Sequence, residues 1–193
     1  MKRILLTLVL GLGLLTANAQ IEKLAGPRLG FTFISSGPLA DVINEGFDND
    51  IEMYGSTGPA FTTLYGWQWE SRFADGGGQI VGIVEWIVLV GGMERGMFLP
   101  SASSIIGARM DNGLEFGVGP NLSLSGIGMV FGMGYNFKSG NLNLPINISV
   151  IPGKSMEGTA YNFNDATQIN EETNYEYNTG TRVAITLGFN MSK

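Results

Sequence analysis
Six charged residues fall inside otherwise apolar or small-residue stretches: Arg28, Glu70, Glu85, Arg109, Glu115 and Arg182. Arg109 and Glu115 flank Asp111-Asn112-Gly113, a triplet of turn-forming residues. If Met110 lies opposite Leu114, Arg109 faces Glu115 directly across two strands. The same parity puts Arg28, Glu70, Glu85 and Arg182 on that face too. Buried charges must be paired, and three arginines can pair with three glutamates. Such a set can do one of three things. It can plug an interior as a structural network, carry ions or protons along a gated path, or supply a carboxylate pair for acid–base work. The structural plug is the expectation, because nothing marks a substrate pocket. The chain also has no His, which removes the commonest general base and metal ligand.

Most of the remaining acidic residues gather in two long connections. The stretch 37–59 holds Asp41, Glu45, Asp48, Asp50 and Glu52, and the stretch 152–180 holds Asp165, Glu171, Glu172 and Glu176. Oxygen ligands suit calcium, but the spacing matches no EF-hand loop. Solvated acidic loops are expected, with no metal or cofactor. Tyr161 alternates with Phe163, and Tyr175 with Tyr177. This predicts a hairpin carried beyond the last two strands, with exposed tyrosines as a candidate recognition surface. Gly117-Val118-Gly119 has no helix after it, so it is no nucleotide fingerprint.

Strands must position these groups. In LEFGVGPNLSLSGIGMVFGMGYNF, residues 114–137, the large apolar residues occupy even positions up to Leu124. After Ser125-Gly126 they occupy odd ones: Ile127, Met129, Phe131, Met133, Tyr135 and Phe137. The intervening positions are Gly, Asn, Ser and Glu115. This is period-two alternation on both sides of a tight turn. Similar segments span 28–35, 60–70, 79–90, 102–110, 142–151 and 181–191, which makes eight strands. Short turns at 71–78, 111–113 and 138–141 mark one end. The connections 37–59, 91–101 and 152–180 are longer and mark the other.

That pattern, with strands of about 9–11 residues, predicts an eight-stranded antiparallel transmembrane β-barrel. In lipid a sheet must close to pair every backbone group. The large apolar face then points outward, and the small, polar face lines a narrow lumen. Tyr65, Trp67, Trp69, Trp86, Tyr135, Phe137 and Phe189 are candidate interfacial aromatics. Pro120 and Pro145 conflict with strand interiors, and Gly119-Pro120 reads as a bulge.

The chain opens Met1-Lys2-Arg3, continues with apolar residues from Ile4 to Leu15, and reaches Ala17-Asn18-Ala19. This predicts a signal peptide over 1–19, with the barrel over 20–193. There is no Cys and hence no disulfide. A formal net charge of −6 without a basic patch argues against a nucleic-acid partner.

The segments GWQWESRF, GIVEWIVLVGGMERGMFLPS, GLEFGVGPNLSLSGIGMVFGMGYNFKSGNLNLPINISVIP and TRVAITLGFN resemble a family of exported, Bacteroidetes-type small outer-membrane β-barrel proteins. The likeness covers roughly 58–190. It implies location in the outer membrane and the barrel architecture. The family has no assigned activity, so no residue role comes with it. The expected function is non-enzymatic: a structural or loop-displaying outer-membrane barrel in contact with lipid, alone or as a subunit of an envelope complex with protein partners. A transporter or channel for small or lipophilic molecules, and a soluble periplasmic lipid-binding barrel, are the alternatives.

Overall fold
A computed structural model describes residues 25–46, 57–75, 80–164 and 169–191. Its strands are β1 (Gly26–Ile34), β2 (Ala60–Asp75), β3 (Ile80–Gly91), β4 (Leu99–Met110), β5 (Leu114–Ser123), β6 (Gly126–Ser139), β7 (Leu142–Ile151), β8 (Ser155–Asn164), β9 (Ile169–Asn178), β10 (Arg182–Gly188) and β11 (Asn190–Met191). β1 to β7 pair in sequence as antiparallel neighbours, and β10 pairs with both β1 and β7. β11 continues β10 along β7 after a break at Phe189. The result is a closed eight-stranded barrel. β8 and β9 form a separate hairpin beyond its rim.

The register fixes the barrel's shape. A path across facing partners starts at Pro27 and runs through Trp67, Val88, Ala102, Leu122 and Ile127. It continues past the Thr179–Lys154 backbone bond and regains the first strand's line at Gly37, ten residues beyond Pro27. A stagger of this size over eight strands sets a tilt of about 35–45° and a lumen just wide enough for side chains.

Alternation then sorts every residue. Phe61, Tyr65, Trp67 and Trp69 are exposed on β2, while Thr62, Leu64, Gln68 and Glu70 are buried between them. In the 114–137 hairpin, Phe116, Leu122, Met129 and Phe131 face out, and Glu115 and Asn121 are buried within. Small lumen residues leave room for larger neighbours. Gly188 lies opposite Arg28, and a Cβ there would press within 3.0 Å of the guanidinium. A Cβ at Gly134 would sit 2.4 Å from Asn147 Oδ1.

Three expectations need correction. The turn after β2 is shorter than 71–78, because β2 runs on to Asp75 with a register shift between Arg72 and Ala74. Gly119-Pro120 is not a bulge. The β4–β5 pairing lapses between Ser103–Asn121 and Ile106–Val118 and resumes in unchanged register, while Pro120 pairs normally with Met129 on β6. The missing N–H of Pro120 therefore faces the lapse, where Gly119 lets the backbone close on the Ser104 carbonyl. Pro145 is handled alike. It pairs with Asn136 on β6, and the β7 ladder lapses between Leu187–Ile146 and Asn190–Asn143. Finally, the 37–59 connection is not only loop. It contains helix α1 (Pro38–Glu45), with Pro in its first turn, where a missing N–H costs nothing. Ala40 and Ile43 of α1 are buried with Ile34, Ala60 and Leu99, so the helix lids one side of the barrel mouth.

Candidate functional site in the lumen
The lumen has a charged floor at the short-turn end. Arg109 Nη1 donates to Glu70 Oε1 at 2.7 Å, its Nη2 donates to Glu70 Oε2, and its Nε donates to Glu115 Oε1 at 2.6 Å. One guanidinium thus clamps two carboxylates through a bidentate fork and a third bond, the geometry that arginine favours. Glu70 lies directly across from Glu85, a like-charge pair that would repel if left alone. Gln68 relieves it. Arg28 Nη2 donates to Gln68 Oε1, and Gln68 Nε2 donates to Glu85 Oε1 at 2.5 Å. Arg28 Nη1 also donates to the Pro145 carbonyl at 3.2 Å. Arg28, Gln68, Glu70, Glu85, Arg109 and Glu115 are each at most 6 % exposed, so the network is buried inside the barrel.

Sequence reasoning missed two of its members. Gln68 is the relay between Arg28 and Glu85, and its inward parity was readable but uncharged residues were passed over. Arg72 Nε lies 4.0 Å from Glu70 Oε1, half-buried at the rim. The expected three-against-three pairing needs correction. Arg182 does not join the floor, because it opens β10 opposite Ile34 and Ile151 at the other end of the barrel. With Arg72 in its place, three arginines balance three glutamates at the floor.

Above the floor the lumen carries the expected small and polar residues, among them Ser103, Gly117, Gly132 and Ser149, together with large apolar ones. β3 turns Ile83, Ile87 and Leu89 inward on either side of Glu85, and Leu64, Ile105 and Val130 join them. They line a cavity of about 110 Å³ between floor and lid. The inward parity of Glu85 implies this face of β3, so the signal was present.

The lid is held by side chains of two connections. Arg95 donates to the Ile43 carbonyl at 2.8 Å. Glu94 accepts from Thr62 Oγ1 at 2.5 Å, from Thr63 Oγ1 at 2.5 Å and from the Thr63 backbone N–H at 3.1 Å. Partial burial would raise the Glu94 carboxyl, but these hydrogen bonds outweigh it and hold it down at about 2. Asp41, expected to be solvated in an acidic loop, needs correction. It is 6 % exposed and accepts from the Thr57 N–H and hydroxyl, both at 2.8 Å.

Tyr65, Trp67, Trp69, Trp86, Tyr135, Phe137 and Phe189 are all on the outer surface, each at least 41 % exposed. Trp69 and Trp86 are cross-strand partners, and the Tyr135 and Phe137 rings pack edge-on at 4.7 Å. Tyr175 and Tyr177 are only half-buried side chains of β9, not free ones. Tyr175 lies across Gly158, and Tyr177 reaches Met156. Tyr161 and Phe163 lie on β8, but their side chains are outside the described residues, as are Asp48, Asp50, Glu52, Asp165 and the Glu171 side chain. The segment 1–19 also lies outside them. No three His, Cys, Asp or Glu residues are grouped to hold a metal among the described residues.

Fold and lumen together define a small closed antiparallel β-barrel with a charged floor and an apolar exterior. No protein-family model matches the chain, and no curated protein matches it either.

Proposed function
We propose that this chain is an exported, integral outer-membrane barrel of non-enzymatic role, its wall structural and its loop-end hairpin displayed outside. The observation that carries this reading is the inversion of polarity. Phe33, Leu122, Ile127, Phe131 and Met133 are each more than half exposed, whereas the charged residues of the floor are buried. A soluble barrel needs the reverse, with its greasy face inward. So large a continuous apolar surface is unstable in water and suited to lipid. The outward placing of the tryptophans and of Tyr65 and Tyr135, together with the resemblance to outer-membrane barrels, supports the same reading.

The floor network and the α1 lid argue for a sealed barrel rather than a channel. Eight strands leave little lumen, and bulky paired side chains fill its lower part. The purified protein in planar lipid bilayers is therefore expected to give no discrete conductance steps in molar KCl. Reproducible single-channel openings would contradict the sealed-lumen reading and favour transport. Co-purification from mild detergent tests the further idea that the barrel is one subunit of an envelope complex.

A further inference from the structure
Among the described residues, Arg182 is the one lumen charge that the floor does not explain. Its Nη1 donates to Ser123 Oγ at 2.8 Å and its Nη2 to Asn121 Oδ1 at 3.2 Å. Both partners are neutral, and no carboxylate lies within ion-pair distance of it among the described residues. The floor is already balanced by its own three arginines, so Arg182 adds an uncompensated positive charge to a low-dielectric interior. Asn121 is itself fixed, donating to Ser103 Oγ at 2.9 Å. The guanidinium is thus aimed by two neighbours that use only part of its five-donor fork.

Arg182, Asn121 and Ser123 line the same cavity as Leu89, Ile105 and Val130. α1 covers Ile34, Ala60 and Leu99, whereas Arg182, the cross-strand neighbour of Ile34, sends its guanidinium across the mouth to Ser123 and Asn121 on β5 and keeps part of its surface accessible. The cavity's lining is mixed, with Glu85 and Glu115 at its base and Leu89, Ile105 and Val130 in its wall. A cation at its mouth is therefore the complement of an amphiphile whose anionic head stays at Arg182, away from those carboxylates, and whose hydrocarbon tail lies on the apolar wall. Size narrows the class. A cavity of roughly 150 Å³ accepts benzene, so about 110 Å³ here suits a tail of similar or slightly smaller bulk.

We propose that this chamber is a binding site for a small organic oxyanion, its head on Arg182 and a short aliphatic or aromatic tail against Leu89, Ile105 and Val130. The site lies wholly in the lumen, so it stands or falls separately from the membrane reading: a chain that does not insert into discs is tested with the same probes in plain buffer.

The test is ligand-observed NMR on the full chain in lipid nanodiscs, since detergent would compete, with empty discs as blank. Hexanoate, butyl phosphate and hexanol are the probes. Saturable binding of hexanoate assigns a carboxylate ligand, and saturable binding of butyl phosphate a phosphate monoester; either supports the site. Hexanol, which lacks the charge, is expected to bind at least tenfold more weakly. Arg182→Gln should weaken the anion at least tenfold and leave hexanol unchanged. Ala184→Phe, which fills the chamber wall beside Arg182, should abolish both. The wild-type comparison of anion with alcohol holds even if a variant fails to fold. Uptake of both anions no greater than in empty discs, or hexanol binding as tightly as the better anion, would overturn the proposal.

Discussion

Arg109→Met should lower the barrel's unfolding free energy by about 3–5 kcal/mol, the cost of stripping the partner from buried charges. The replacement keeps the length and most of the bulk of the side chain, so little of the loss comes from a cavity. What it removes is the fork on Glu70 and the bond to Glu115. Three carboxylates would then face one another, with Arg28 tied up through Gln68 and Arg72 no nearer than 4.0 Å from Glu70. A triple variant, Arg109→Met with Glu70→Gln and Glu115→Gln, should recover much of the loss, because a buried ion cluster replaced as a unit leaves no charge unpaired. Urea unfolding in lipid vesicles, followed by the fluorescence of Trp67, Trp69 and Trp86, reads both. A single variant within about 1 kcal/mol of wild type would show that the floor does not hold the lumen together.

The second large effect is expected on the opposite face. Val118 points outward at mid-strand, paired with Ile106 on one side and Phe131 on the other. All three side chains are exposed. In lipid, Val118→Arg places a charge near the bilayer midplane, at a cost of about 2–4 kcal/mol. The same change near a rim, at Leu142 beside the 140–141 turn, should cost about 0–1 kcal/mol. On a soluble barrel both positions are water-exposed, and both changes should stay within about 0.5 kcal/mol. The depth dependence, rather than either number, is the informative quantity. Equal effects at Val118 and Leu142 would place the exterior in water.

Much of this was legible in the sequence because strand parity is a strong constraint. A one-residue slip would turn every lipid-facing side chain inward, so Phe116, Met129 and Phe131 declare their side, and Glu115 declares the other. The same rule places Arg28, Glu70, Glu85 and Arg109 in one interior. Parity gives a face but not a height, and this is where the reading fell short. Arg182 shares the face of the floor residues yet lies at the far end, because it opens β10 at the long-connection end, whereas Arg109 closes β4 at the short-turn end. The prolines were misread for a related reason. A strand in a closed barrel has two neighbours, and Pro120 and Pro145 forfeit one donor each toward a local lapse while keeping the register. α1 was hidden because only eight residues form it, and its burial depends on Ile34, Ala60 and Leu99 far away in sequence. Asp41 looked solvated for the same reason, since its partner Thr57 is set by the loop's closure.

The central claim is that the apolar exterior faces a bilayer. The most direct measurement is fractionation of the expressing cells, followed by gel migration of the protein with and without boiling in SDS. The protein should sediment with the outer membrane, resist extraction by carbonate, and migrate faster unboiled than boiled, because a lipid-stable barrel stays compact in SDS until heated. A protein found in the soluble fraction, migrating identically with and without heating, would contradict the account.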